Sequence, residues 1–250
     1  MKVRLVALVV LAVVMGSSSA RATPSTTYWT PMTVDVQSYG VLHIGADNYF
    51  TVFKKADAGG GAFPTDLGLT IGVLPFESVV AEVGVDLIEA SDNPLFFNAK
   101  IAVPEGVLFD GAPTVQAGIF NVGTKKDVTD QNIAYMAIGK TIPGVGRLSA
   151  GPYIGNGKVL VDKDGNKENT GFMVAFDRGF MPVKDKDGNE YNQWVFAADY
   201  ASGDNALGGG GFGIYHFFTK DICVLTGPVW FNEEAINGSW KWTFQLDINL

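Results

Sequence analysis

The sequence contains little cysteine, little histidine and few basic residues. Its single cysteine, Cys223, cannot form a disulfide within the chain, and we expect it to be a small strand residue. Eighteen lysines and arginines stand against 26 aspartates and glutamates, which gives a net charge of −8. No basic stretch is interleaved with aromatic residues. An acidic chain without such a stretch is poorly suited to nucleic acid, so we expect no nucleic-acid partner.

Beyond residue 22, the sequence also lacks any apolar run of about 18 or more residues, the length that a transmembrane helix requires. The one long apolar run, residues 5–15, follows a basic start and precedes an A-x-A motif that ends at Ala22. This arrangement is typical of a secretory signal peptide. We therefore predict a cleaved signal peptide over residues 1–22 and an exported mature chain over residues 23–250.

Glycine and strand-like alternation are abundant. Thirty-one glycines and 12% aromatic residues suit many strands joined by tight turns. In the hairpin over residues 67–87, apolar residues such as Leu69 and Val85 alternate with glycines and with Glu82 and Asp86. Charges at every second position suit a barrel that has lipid outside and water inside.

Alternating segments of about ten residues recur along the whole mature chain. They cover residues 39–53, 67–73, 81–87, 95–103, 114–122, 132–142, 146–154, 171–177, 194–201, 211–218, 222–231 and 239–250. Short turns and longer polar loops alternate between them, with the long connection 179–193 as an exception. We predict an all-β fold: a closed antiparallel up-and-down transmembrane β-barrel of about 12 strands, with 10 and 14 as alternatives. Residues 23 to about 33 are expected to form a short periplasmic lead.

The final segment alternates without exception. One side carries only apolar residues, namely Trp240, Trp242, Phe244, Leu246, Ile248 and Leu250. This pattern resembles the closing strand of Gram-negative outer-membrane β-barrels, although Leu250 stands where these usually end in Phe or Trp. The resemblance implies a small porin-like barrel in the cell outer membrane. It also implies contact with outer-membrane lipid and recognition of this strand by the barrel-assembly machinery.

The same alternation predicts how substitutions in this strand behave. Arginine in place of Trp242 or Phe244 would face lipid and should impair folding. Arginine in place of Gln245 or Asp247 would face the barrel interior, and we expect it to be tolerated there.

Candidate catalytic and metal sites are weak. The chain is similar in class and strand number to outer-membrane phospholipase A, but neither His43 nor His216 begins that family's H-x-S-N-G motif. Two Asp-Lys-Asp-Gly-Asn stretches, at 162–166 and 185–189, resemble Ca²⁺ loops, but their glycine comes fourth instead of sixth. We interpret them as hairpin turns, with weak divalent-cation binding as the alternative. We expect no enzyme activity, no cofactor and no metal.

Inward-facing ionisable residues form the candidate functional site, because charges at membrane depth must face water or each other. The parity of the strands predicts that the lumen is lined by Glu82, Asp86, Lys100, Arg147, Asp177, Asp199, Lys241 and Asp247. Such groups either line an aqueous path or form a salt-bridged plug. We predict a narrow, passive, porin-like channel for small hydrophilic solutes or ions, with cations favoured. The alternative is a non-conducting structural or adhesive barrel that acts through its extracellular loops.

Overall fold

The computed structural model describes residues 27–250, so the predicted signal peptide and residues 23–26 lie outside the described part. Twelve strands form one closed antiparallel sheet in which sequence neighbours pair and β1 pairs with β12. The strands are β1 (Leu42–Phe50), β2 (Thr65–Gly72), β3 (Val80–Glu89), β4 (Leu95–Val103), β5 (Thr114–Gly123), β6 (Asp130–Ile142), β7 (Gly146–Ile154), β8 (Thr170–Lys184), β9 (Glu190–Ala201), β10 (Gly209–Thr219), β11 (Ile222–Phe231) and β12 (Lys241–Asn249). The predicted fold class is confirmed.

The barrel is closed by backbone hydrogen bonds between its first and last strands. His43 lies opposite Asn249, and Phe50 lies opposite Trp242. Beyond the end of this ladder, the N–H of Leu250 donates to the carbonyl of Leu42 at 2.8 Å. Closure leaves no lipid-exposed strand edge, which a membrane interior would not tolerate.

The outer surface of the barrel is apolar and the inward face of β12 is polar. Phe244 is 48% exposed, whereas its neighbour Gln245 is 1% exposed. Large exposed apolar side chains also cover the other strands, among them Leu69, Ile101 and Leu148. A continuous apolar exterior around a closed sheet is the surface that a membrane-spanning barrel presents to lipid. Among residues 27–250, no helix is long and apolar enough to cross a membrane.

The two ends of the barrel differ in their connections. At the end that we call the turn end, strands are joined by 73–79, 104–113, 143–145, 185–189 and 220–221. At the opposite loop end, the connections include 51–64, 155–169 and 232–240, and the last of these holds the short helix α1 (Glu234–Asn237). The long connection expected over 179–193 is wrong. β8 and β9 continue beyond the neighbouring strands as a hairpin, so that only 185–189 join them.

Residues 27–40, which we call the inner segment, run inside the barrel. Tyr39 bridges to Gly72 at the turn end, while Trp29 packs against Phe63 and Phe231 at the loop end. The segment therefore extends along the lumen from one end to the other. For residues 27–33, the expected periplasmic lead is wrong, because these residues fold back into the barrel.

Apolar side chains of the inner segment find partners on the strands from β6 to β11. Met32 and Val34 pack in a buried cluster with Ile133, Tyr153 and Met173. Tyr28 packs in a second cluster with Tyr215, Phe217, Cys223 and Leu225. Burial of this apolar surface is the main force that draws the segment inside. One side of the lumen is thus packed like the core of a globular protein.

Candidate functional site

Several inward charges form ion pairs across neighbouring strands. Glu82 on β3 lies opposite Lys100 on β4, and their Oε1 and Nζ atoms are 3.2 Å apart. Arg147 on β7 lies opposite Asp177 on β8, and its Nε donates to Oδ2 at 2.8 Å. His43 Nε2 lies 3.3 Å from an Asp247 carboxylate oxygen. These pairs compensate charges that would otherwise be costly inside the barrel.

The inner segment is tied to this network at its only charged residue, Asp35. Both terminal nitrogens of Arg147 donate to the Asp35 carboxylate, at 2.6 and 2.5 Å. Arg147 therefore bridges Asp35 and Asp177. Planar, two-pronged pairing of this kind fixes geometry as well as charge.

A second anchor holds the outer part of the inner segment on Asp199 of β9. One carboxylate oxygen, Oδ2, accepts the backbone N–H groups of Tyr28, Trp29 and Thr30 at 3.1, 2.9 and 2.6 Å. The Thr30 hydroxyl donates to the same oxygen at 2.9 Å. We call this arrangement the Asp199 clasp. A carboxylate that gathers consecutive backbone N–H groups satisfies donors that have no strand partner.

Further polar side chains of the wall bind the backbone of the inner segment. Ser149 Oγ donates to the carbonyl of Met32 at 2.5 Å, and Gln116 Nε2 donates to that of Thr33 at 3.3 Å. The N–H of Gln37 donates to Glu82 Oε2 at 2.6 Å. The wall thus recognises the backbone of the segment at intervals along its length.

The Tyr28 ring occupies a recess formed by three inward glycines, Gly211, Gly213 and Gly227. A Cβ on Gly211 would lie 2.8 Å from the Tyr28 Cβ, and one on Gly213 would lie 2.5 Å from the Tyr28 hydroxyl oxygen. Tyr28 is completely buried. Next to it, the Trp29 indole donates to the carbonyl of Leu207 at 2.6 Å. The recess shows that this part of the wall is shaped to receive the segment.

On the opposite side of the lumen, a cavity of about 100 Å³ remains between the inner segment and the wall. Its lining includes Asp47 on β1, Asp66 on β2 and Asp86 on β3. Asp86 accepts a hydrogen bond from Asn98 at 2.7 Å. Within residues 27–250, none of the three carboxylates forms an ion pair with a basic residue. The cavity is therefore acidic, and its volume suits a few water molecules.

Glycines on β1 and β2 keep this cavity open. The nearest atom to a Cβ placed on Gly45 would be His43 Nε2, at 3.7 Å, and on Gly68 it would be Asp86 Oδ1, at 3.1 Å. Both positions thus border free space or the ends of polar side chains, without backbone against them. Side chains larger than glycine would fill the space that the acids face.

All eight ionisable residues predicted to line the lumen point into the barrel, although several contact protein groups and not an open path. They are Glu82, Asp86, Lys100, Arg147, Asp177, Asp199, Lys241 and Asp247. Lys241, for example, lies at the loop end with its ammonium 3.9 Å from the centre of the Phe63 ring. Asp47 and Asp66, which line the cavity, and Asp35 of the inner segment were not among the residues predicted to line the lumen.

The signal for two of the missed acids was present in the chain. Asp47 shares its parity with Gly45, and Asp66 shares its parity with Gly68, so both pairs face the same side of their strands. Asp35 had no comparable signal, because it precedes the first strand of the barrel.

The apolar side chains of the final segment lie on the outside. Trp242, Phe244 and Leu250 are exposed, and Leu246 and Ile248 are partly so. Trp240 is also exposed but precedes β12, which begins at Lys241. Gln245 is packed inside, where its amide donates to the Tyr28 carbonyl at 3.2 Å. Because this side chain contacts the inner segment, arginine at residue 245 has less room than the alternation alone indicated.

The two Asp-Lys-Asp-Gly-Asn stretches form matching turns. Asp162 accepts the backbone N–H groups of Asp164 and Asn166, and Asp185 accepts the corresponding groups two and four residues later. Hydrogen bonds from the Asn166 side chain and backbone lower the pKa of Asp162. Each first aspartate is thus committed to its own turn. Among residues 27–250, no group of three or more potential metal ligands is assembled.

The two histidines lie apart, on opposite faces of the wall. His43 faces the lumen, where its Nδ1 is 2.8 Å from Asn249 Oδ1. His216 alternates with the inward residues Tyr215 and Phe217 and packs beside Trp194, with ring centres 4.2 Å apart. Among residues 27–250, neither histidine is hydrogen-bonded to a serine.

Comparison with known proteins gives only distant structural likenesses. No protein-family model matches the sequence, and no curated protein is similar to it. The chain is similar in structure to the KdgM porin (TM-score 0.49, 9% identity, 84% of this chain and 99% of that one). It is similar to the NanC porin (0.49, 9%, 84% and 98%) and to an outer membrane channel from Pseudomonas putida F1 (0.46, 8%, 94% and 100%). TM-scores below 0.5 support no inference, so fold and function rest on this chain's own residues.

Proposed function

We propose that this protein is a narrow, passive channel of the outer membrane that passes small hydrophilic solutes or ions and favours cations. The observation that carries the proposal is the acidic cavity beside the inner segment. Asp47, Asp66 and Asp86 lie on adjacent strands and face the same space without a basic partner within residues 27–250. Carboxylates so placed repel each other and are costly to bury in a dry site. Water or cations in the cavity would relieve both effects.

The charge distribution supports a cation preference. Lys100 and Arg147 are each engaged with inward carboxylates, and Lys241 points to aromatic rings at the loop end. These bases therefore do not pair with the three carboxyls of the acidic cavity, and ionised carboxylates in a narrow constriction attract cations and repel anions.

The setting of the channel follows from the chain's exterior and its predicted leader. The apolar outer surface suits lipid, and a signal peptide over residues 1–22 would export the chain. The final strand, with Phe244 and Leu250 on the outside, would be the segment recognised by the barrel-assembly machinery. Passage along a polar lumen requires no catalytic group or cofactor, and we propose none.

A second candidate, a non-conducting structural or adhesive barrel, is favoured by different observations. The inner segment fills part of the lumen, and several inward charges are paired, including the bridge between Arg147, Asp35 and Asp177. If this arrangement never opens, only the loops at the loop end remain available for function.

Planar-bilayer recording separates the two candidates. The channel predicts single-channel conductance and a reversal potential, in a KCl gradient, on the cation-selective side. Replacing Asp47, Asp66 and Asp86 together with asparagine should move the cation-to-anion permeability ratio towards unity. Asp164→Asn, in the exposed connection 155–169, is the matched control and should leave that ratio unchanged. Absence of conductance from correctly folded protein would eliminate the channel and favour the structural barrel.

A further inference from the structure

The inner segment is separable from the barrel that surrounds it. The twelve strands close on themselves without it, through the pairing of β1 with β12. Most hydrogen bonds between the segment and the wall use a side chain on one partner, as in the Asp199 clasp and the contact between Ser149 and Met32. Withdrawal of the segment would therefore leave the backbone ladder of the barrel intact.

The junction between the inner segment and β1 is suited to a change of direction. Gly40 has a φ of +78°, and nothing lies within 4 Å of the position that its Cβ would occupy. Glycine adopts this conformation without the strain that another residue would incur. A hinge at this point would move residues 27–39 relative to β1.

Two kinds of interaction hold the segment in the lumen, and they favour the closed state. The apolar side chains of Tyr28, Met32 and Val34 are buried against the wall. The Asp199 clasp and Arg147 form hydrogen bonds with polar groups of the segment that face the barrel wall. In an open state, water would hydrate these polar groups, whereas the apolar groups would lose their burial.

Beside the inner segment, the acidic cavity leaves little room. With the inner segment in place, the acidic cavity measures about 100 Å³, enough for a few water molecules but not for a hydrated organic solute. Passage of such a solute requires the segment to move. We infer that the inner segment is an internal gate, hinged at Gly40 and held shut by the Asp199 clasp. This inference rests on the proposed channel function and adds its regulation.

Cysteine labelling measures gate opening independently of ion flow. In a Cys223→Ser background, Ser149→Cys places a thiol beneath the Met32 carbonyl, where the closed segment covers it. Asp199→Asn keeps the shape of the clasp residue but removes its charge. It should raise the labelling rate of residue 149 by a hydrophilic maleimide about tenfold or more, since hydrogen bonds to a charged acceptor are strong.

The matched control is Asp164→Cys, in the exposed connection 155–169, which the inner segment does not cover. Asp199→Asn should leave its labelling rate unchanged, because this thiol is accessible wherever the segment lies. An equal rise at both residues would mean that labelling does not report on the segment, and no rise at residue 149 would mean that the clasp does not hold the segment. Either result would overturn the inference.

A reversible cross-link tests the gate in the full chain without weakening the clasp. A Cβ on Gly139 would lie 3.1 Å from the Val34 Cβ, close to the separation of about 3.5–4.5 Å found in disulfides. In the Cys223→Ser background, oxidised Val34→Cys/Gly139→Cys protein should conduct less than the reduced protein, with each single-cysteine variant unaffected by reductant. Equal conductance in both redox states would refute the gate. If no variant conducts, the channel proposal fails, and labelling alone decides whether the segment opens.

Discussion

Removing the cationic partner of Glu82 is expected to destabilise the barrel strongly. Glu82 and Lys100 are directly opposite each other, and their side chains are 2% and 4% exposed. Lys100→Met keeps most of the side-chain volume but leaves a buried carboxylate without its ammonium. Breaking a buried pair in this way costs about 3–5 kcal/mol. We expect a value near the lower end, because Glu82 borders the acidic cavity and keeps its bond from the N–H of Gln37.

A double-mutant cycle isolates the contribution of the pair. The free energy of unfolding can be measured by urea titration in lipid vesicles, with tryptophan fluorescence as the signal. Glu82→Gln combined with Lys100→Met removes both charges and should recover most of the stability lost in Lys100→Met, because no uncompensated charge remains. If the two single losses simply add in the double variant, or if Lys100→Met costs less than about 1 kcal/mol, the pair is hydrated and our assignment of a buried bridge is refuted.

Three further predictions concern the exterior, the inner segment and a connecting loop. Phe244→Arg places a charge in the lipid-facing belt and should lower the free energy of unfolding by about 2–4 kcal/mol near the midplane and about 0–1 near the interface. The control Phe53→Arg, in the exposed connection 51–64, should change it by less than about 0.5 kcal/mol. Equal losses of stability in the two variants would contradict the outward orientation assigned to Phe244. Gly211→Ala should speed labelling of the Ser149→Cys thiol beneath the inner segment, because the added methyl group clashes with Tyr28. The effect should disappear in a Tyr28→Gly background. If it persists there, the glycines do not form a recess for Tyr28. Lys140 and the Thr141 N–H outweigh burial and lower the pKa of Glu105 in the connection 104–113. The stability difference between wild type and Glu105→Gln should therefore be constant well above pH 4.5 and shrink as the pH falls below it; a difference that grows on acidification would reverse the assigned sign.

The barrel itself could be predicted because the alternation within each strand indicates which side chains face outward. In β12, polar and apolar residues alternate from Lys241 to Asn249. In a membrane, the apolar residues of such a strand must face lipid and the polar ones the interior. The same rule placed Glu82 and Lys100 on the inner face without knowledge of their pairing. The residues at which each strand begins and ends were harder to predict. The hairpin of β8 and β9 extends past the apolar belt, where lipid no longer imposes alternation, and its strands were therefore predicted too short.

The partner of each inward group could not be predicted from alternation. Parity says that Asp199 faces inward but not that its carboxylate gathers three backbone N–H groups from residues 28–30. Those donors lie about 170 residues away in sequence. An irregular segment has no repeating pattern of side chains, so the sequence does not indicate which strand residues it contacts.

One signal for the inner segment was nevertheless present, in the loss of alternation along β11. Its inward residues Cys223, Leu225, Val229 and Phe231 are apolar, as are several of its outward ones. A strand that is apolar on both faces has apolar neighbours on both faces. With lipid on the outside, the inside of β11 must meet something other than water, and Tyr28 belongs to the cluster that covers Cys223 and Leu225. Near-continuous apolar strands beside strictly alternating ones therefore indicate, in a membrane barrel, which side of the lumen is packed and which is left to water.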